Sequence, residues 1–194
     1  MFIVFEGIDG SGLTTQSHRL GAYFEKRGKK TFLTKEPTNN PIGKIIRDVL
    51  SGSHRIDQEA LALLFAADRS EHMKDIKKNQ DSVIVCDRYC FSNFAYQMLQ
   101  VELGYLMEIN SPFLKPDLTI FLDVPPRVCK KRIDENRDHI EIFEHEETLE
   151  RIRENYLQII TLFEEKGYAI TKVDGDRNMK DVHEAVVKSI KEFI

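Results

Sequence analysis

The stretch that most constrains the fold is FIVFEGIDGSGLTTQ, Phe2 to Gln16: an apolar run, a glycine-rich turn, then a segment able to open a helix. The phosphate-binding-loop pattern asks for Gly, four residues, Gly, Lys, then Ser or Thr; Gly7, Gly12 and Thr14 satisfy it, and Leu13 stands in the lysine position. Glycines at 7, 10 and 12 let successive main-chain N–H groups converge on a phosphate chain at the positive end of a helix. Gly7, Ile8, Asp9, Gly10, Ser11, Gly12, Leu13 and Thr14 are therefore expected to cradle the phosphates of a nucleotide. Leu13 leaves that cradle intact and removes only the ammonium that follows the β and γ phosphates, while Thr14 keeps a hydroxyl for Mg²⁺. A ligand-free glycine turn is the competing reading, and the strand before the loop and the helix after it argue against it.

The rest of the chain repeats the alternation. The first helix runs to about Arg27 and stops at Gly28; TFLTKE, Thr31 to Glu36, reads as a second strand, and IGKIIRDVL as a short helix. From Asp57 a long helix carries the apolar stripe Leu61, Leu64 and Phe65, which gives way to Asp68, Arg69 and His72. Polar groups on an inward stripe suggest a site. SVIVCD and LTIFLD, Ser82 to Asp87 and Leu118 to Asp123, are short apolar runs ending in aspartate, as expected of buried parallel strands. DRYCFSNFAYQ leads from the first into a helix, and PPRVCKKRI starts a helix after the second, with proline at its N-terminus. Lys130 to Glu147, dense in both charges, reads as a mobile surface segment before a helix from about Glu147 to Lys166. YAITKVD is a fifth strand, and MKDVHEAVVKSIKEFI an amphipathic last helix.

The expected fold is thus α/β, of the P-loop NTPase type: a five-stranded parallel sheet with helices on both faces, in one domain spanning 1–194. Such sheets bind ligands at the carboxyl ends of their strands. The glycine loop, Lys35 to Pro37, Asp87 with Arg88, Asp123, and Asp174 with Gly175 fall there.

Composition narrows the partners. A net charge of −4 and a pI of about 5.9 provide no overall basic field for nucleic acid or an anionic membrane. The start MFIVFEG has no basic region before an apolar one, and no apolar run approaches membrane-spanning length, so the expected location is the cytoplasm. The three cysteines have no metal or redox spacing and are read as small buried or half-buried residues. The six histidines form no metal pattern either.

Asp87, closing a strand, is placed to hold Mg²⁺ directly or through water, the alternative being a helix cap. Arg88 beside it is a planar donor able to bridge two phosphates. Phe65 and Arg69, four apart on one helix, suit a flat heterocycle that is stacked by one and bonded by the other. Asn93, Tyr96 and Gln97, about a turn apart after Arg88, offer amides to read a base and a wall for a sugar. TKVD, Thr171 to Asp174, imitates the guanine-selective motif of GTPases, but the Asp-x-x-Gly switch that should accompany it occurs only as Asp9 to Gly12, inside the phosphate loop itself.

FEGIDGSG, TKEP, LLFAADR, DRYCFSNFAYQ and PDLTIFLDVPP, in this order, resemble the thymidylate kinase family over nearly the whole chain. The resemblance implies an ATP-dependent kinase that phosphorylates dTMP with Mg²⁺, as a homodimer. It implies that Asp9 holds the sugar 3′-hydroxyl, Phe65 stacks on thymine, Arg69 reaches O4, and Asn93 reads the pyrimidine edge. Tyr96 would crowd C2′ and so disfavour a ribonucleotide, and Arg88 with Arg47 would hold the acceptor phosphate. Lys130 to Glu147 falls where relatives carry a lid. Gly10 resembles the branch of the family whose catalytic arginine comes from that lid, which makes Arg132 and Arg137 candidates beside Arg88. Lys35 departs from the arginine usual in TKEP, and His139 stands where a lid arginine often does. With Leu13 lacking its charge, the expectation is a slow kinase. The alternatives are a kinase for another deoxynucleotide and a non-catalytic nucleotide-binding paralogue.

Overall fold

The computed structural model describes residues 1–136 and 142–193. Five strands, β1 (Phe2–Glu6), β2 (Thr31–Lys35), β3 (Val83–Asp87), β4 (Leu118–Asp123) and β5 (Ile170–Asp174), form one parallel sheet in the order β2-β3-β1-β4-β5. The apolar runs of β1, β3 and β4 occupy its centre, where both faces are covered. The more polar β2 and β5 take the edges.

Strand alternation divides the core in two. Ile3 and Phe5 of β1, with Leu118, Ile120 and Leu122 of β4, face α1 (Leu13–Glu25) and α8 (Met179–Phe193) through Leu20, Phe24, Val182, Val186 and Ile190. On the opposite face Phe2 and Val4 pack with Met73, Ile76 and Tyr89, and Phe121 joins the larger cluster built from the remaining helices. Those helices are α2 (Pro41–Leu50), α3 (Gln58–Lys78), α4 (Cys90–Gln97), α5 (Leu103–Asn110), α6 (Pro126–Asn136) and α7 (Glu146–Glu165). Helices α2 and α3 start where their caps allow: Asn40 accepts from the Gly43 N–H at 2.9 Å, and Asp57 from the Glu59 N–H at 2.9 Å.

Two expectations are corrected here. The segment from Lys130 is not an irregular surface stretch at its start, because α6 continues to Asn136 and its Ile133 is buried. Nor is its far end on the surface: Phe143 and Glu144 are buried, and the Phe143 ring meets the Tyr96 ring edge-on at 5.5 Å. Apolar packing against α4 outweighs the charge density that suggested solvent. The α5 helix was not anticipated; LGYLMEIN carries no side-chain cap and lies between two turns. No helix among the described residues is long and apolar enough to cross a membrane.

Candidate active site

A cleft of about 810 Å³ opens along the carboxyl ends of the strands, with the glycine loop as its floor. The loop's curvature depends on Gly10 and Gly12, at φ 80° and 97°. Gly12 is the left-handed N-cap of α1, which turns the helix N-terminus toward the cleft. Leu13 is the first residue of α1; only 6% exposed, it packs in the cluster with Ile3, Phe5 and Leu122 while still touching the cleft.

Thr14 and Asp87 come together as anticipated. The Thr14 hydroxyl donates to Asp87 Oδ2 at 2.6 Å, so a helix N-terminus and the end of the neighbouring strand share one polar point. Asp87 does not cap the helix that follows: the N-cap of α4 is Tyr89, with no side-chain bond. A hydroxyl and a carboxylate are hard oxygen donors that suit Mg²⁺, a cation that keeps much of its shell as water and phosphate oxygens. The described residues contain no group of three or more His, Cys, Asp or Glu side chains able to cage a metal.

Arg88 is the single non-glycine residue at positive φ among the described residues, at 71°. Its guanidinium donates to the Gly7 carbonyl at 2.9 Å, to Ser92 Oγ at 3.1 Å and to Asp9 Oδ1 at 2.7 Å. The Tyr96 hydroxyl donates to the other Asp9 oxygen at 2.8 Å and accepts from the Asp9 N–H at 3.0 Å. Burial opposes the charge on Arg88, but the Asp9 carboxylate paired with it helps to hold its pKa above the ordinary range. Burial pushes the Tyr96 phenol well up as well, which keeps it a donor. Asp9, Arg88 and Tyr96 thus form one ordered unit beside the loop. Arg47 stands across the cleft, its Nη1 donating to the carbonyls of Pro37 and Thr38 at 3.3 and 2.6 Å. Thr38 is itself fixed by Asp68, which accepts from its N–H and hydroxyl at 2.8 and 2.6 Å.

Phe65 and Arg69 both line the cleft from α3. Arg69, however, is fully buried and already engaged: its Nε and Nη2 donate to Glu36 Oε2 at 2.9 and 2.7 Å, and Nη1 donates to Asn110 Oδ1. The network extends through His72, which bonds Glu36 at 2.9 Å and Thr34 at 2.6 Å. Burial works to lower the Arg69 pKa; the carboxylate of Glu36 is among the neighbours that raise it instead. Asn93 lies behind the cleft wall, its Oδ1 accepting from Asn110 at 3.0 Å and its Nδ2 without a partner among the described residues. Gln97 lines the cleft while 1% exposed, and both of its amide atoms lack partners there.

From α6, Arg132 reaches the loop, donating to the carbonyls of Gly10 and Gly175 at 3.4 and 3.2 Å. Arg137 and His139 lie outside the described residues. Burial raises the Cys86 thiol well above its ordinary value, and those of Cys90 and Cys129 to about 12, which disfavours the thiolate.

Sequence reasoning missed several members of this site. Glu36 was passed over inside TKEP, Asn110 sits on the unanticipated α5, and Glu6 was absorbed into an apolar strand. The signal for Glu6 was available, since a carboxylate in a fully buried strand requires donors from elsewhere.

Comparison with known proteins adds an independent observation. The family model described as thymidylate kinase matches residues 5–186. A protein of Methanococcus aeolicus named "Probable thymidylate kinase" is 42% identical, with 97% of this chain and 95% of that protein covered. One of Pyrococcus horikoshii with the same name is 40% identical over 98% of this chain and 95% of its own length. A "Putative thymidylate kinase" of Treponema pallidum is 34% identical, with 99% and 95% covered.

Proposed function

The chain belongs to the thymidylate kinase family, and from that premise we propose that it transfers the γ-phosphoryl group of ATP to dTMP, giving dTDP and ADP, at the cleft above the glycine loop. The observation that carries this reading is the position of Arg88, whose guanidinium bonds the first glycine of the loop and Asp9 together. A planar cation there lies between the loop that takes the donor phosphates and the wall that takes the acceptor.

Each residue then has a task. The N–H groups of residues 7 to 14 bind the donor phosphates, and Thr14 and Asp87 hold Mg²⁺, which when bound neutralises charge on those oxygens. Arg88 and Arg47 grip the acceptor phosphate. Phe65 stacks on the base, and Arg69, held rigid by Glu36, presents its edge to O4. Gln97 supplies an amide for the remaining base positions, and Asn93 supports that wall from behind. Asp9 receives the 3′-hydroxyl and Tyr96 blocks the 2′ position. Transfer is in line and without a covalent intermediate, so the protein contributes positioning and charge.

Leu13 supplies no charge, and one missing donor to a transition-state oxygen costs about 3 to 4 kcal/mol, on the order of 10² to 10³ in rate. Arg132, already beside the loop, brings a cation from α6, and Arg137 would bring another from the lid at about 130–147. The protein is proposed to work as a single-domain cytoplasmic enzyme and a homodimer.

The deciding experiment is steady-state phosphorylation of dTMP by ATP and Mg²⁺, with dUMP, dGMP and UMP as controls. Turnover selective for dTMP supports the proposal. Equal turnover with another nucleotide, or tight dTMP binding with no turnover, sinks it in favour of a different kinase or a binding protein.

A further inference from the structure

Glu6 is the last residue of β1 and is 1% exposed, in a strand otherwise entirely apolar. Its carboxylate is saturated. Oε1 accepts from the main-chain N–H groups of Tyr89 and Phe91 at 3.0 and 3.1 Å; Oε2 accepts from the Ser92 hydroxyl at 2.6 Å and the Tyr156 hydroxyl at 3.1 Å. Burial drives its pKa upward while Ser92, Arg88 and Tyr156 oppose that rise.

All four donors surround one residue. Arg88 holds a left-handed backbone conformation that a long side chain seldom adopts, and the N–H groups immediately after it and two further on are both anchored on Glu6. Ser92 then joins main chain to side chain: its hydroxyl gives its proton to Glu6 or Tyr156 and accepts from the Arg88 guanidinium at 3.1 Å. Tyr156, fully buried on α7, brings to the same point the helix that leaves the lid region.

We propose that Glu6 is a positioning residue for the acceptor-phosphate clamp: it fixes the turn that aims Arg88 and, through Ser92 and Tyr156, ties that clamp to α7. The proposal rests on Arg88 gripping the acceptor phosphate. Glu6 touches no substrate in this role. It acts through the accepting capacity of four lone-pair sites, which an amide of the same shape lacks, because Glu6→Gln puts a donor where donors already point.

The test compares two ligands that differ only in the group Arg88 would hold. Binding of dTMP and of thymidine is measured by calorimetry for the unaltered chain, Glu6→Gln, Ser92→Ala, Arg88→Ala and the Glu6→Gln/Arg88→Ala pair. The expected result for Glu6→Gln is a loss of at least ten-fold in dTMP affinity with thymidine affinity unchanged. In the Arg88→Ala background the same substitution should change neither ligand further. Ser92→Ala removes one hydroxyl, leaves both main-chain anchors, and should show a smaller loss of the same kind, so the proposal remains testable if Glu6→Gln does not fold. Equal losses for both ligands would mark Glu6 as general scaffolding, and a dTMP loss that persists without Arg88 would break the link; either result overturns the proposal. If Arg88→Ala itself leaves the dTMP-to-thymidine ratio unchanged, the reading of Arg88 fails and takes the proposal with it. If Arg88→Ala lowers that ratio and Glu6→Gln does not, the proposal fails alone.

Discussion

Asp9 and Tyr96 exchange two hydrogen bonds, the Asp9 N–H donating to the phenolic oxygen at 3.0 Å and the phenol donating back to the carboxylate at 2.8 Å. The pair fixes both the main chain of the loop and the direction of its acidic side chain. Tyr96→Phe removes both bonds and keeps the ring. A hydrogen bond to a charged group contributes about 1.5 to 3 kcal/mol, so kcat/KM for dTMP should fall roughly 10- to 100-fold. The preference for dTMP over its ribonucleotide should survive, because the ring proposed to crowd C2′ remains; steady-state kinetics with both acceptors checks this.

Leu13→Lys tests the missing charge. Turnover should rise on the order of 10², the usual worth of one well-placed donor. Stability should fall by about 1 to 3 kcal/mol, since Leu13 is 6% exposed in an apolar cluster and that burial is lost. Kinetics and urea unfolding of the same preparation separate the two effects, and Arg132→Ala should cost more turnover in the unaltered chain than in the Leu13→Lys variant.

Asp87→Asn should raise the Mg²⁺ concentration for half-maximal activity at least about ten-fold, because a neutral amide is a poor ligand for a hard cation. Affinity for dTMP without metal should be unchanged. A Mg²⁺ titration of activity beside metal-free calorimetry reads both, and an unchanged Mg²⁺ requirement would remove Asp87 from the metal site.

The buried pair of Arg69 and Glu36 makes a stability prediction independent of catalysis. Arg69→Met leaves the carboxylate of Glu36 without its guanidinium, with His72 still bonded to its other oxygen, and should destabilise the fold by about 3 kcal/mol. Adding Glu36→Gln should recover part of that loss, because no charge is then left unpaired. Denaturant unfolding of the two variants measures the recovery.

Asp123 provides the pH dependence. Burial raises its pKa, but Arg153 at 2.7 Å and Lys172 at 2.8 Å outweigh burial and hold it below its ordinary value. A carboxylate with a lowered folded-state pKa adds stability above the unfolded value, and that stability disappears as pH falls through the lowered one. The thermal stability of the unaltered chain should therefore exceed that of Asp123→Asn at neutral pH and converge with it in acid.

The central strands and the loop were legible because one residue pattern sufficed for each: continuous apolar runs for β1, β3 and β4, and glycine spacing for the turn. The meeting of Thr14 with Asp87 follows from placing one at the start of the helix after the glycine loop and the other at a strand end. What escaped was long-range pairing. Nothing near Arg69 announces that Glu36 and Asn110, 33 and 41 residues away, will engage three of its five donors. Nor does local sequence tell that Phe143, in a run dense with charge, will lie against Tyr96. Such partners are set by how helices stack on the sheet, which periodicity does not encode.

Gly10 closes one evolutionary door. A β-carbon there would stand 2.6 Å from the Cys129 carbonyl oxygen, on the backbone of α6, and the residue's φ of 80° disfavours any side chain. No lineage starting from this chain can place a cation inside the loop at position 10 without first displacing a helix. Selection for faster turnover is thereby steered away from position 10, and a mutational screen should find no improved variant that adds a side chain there.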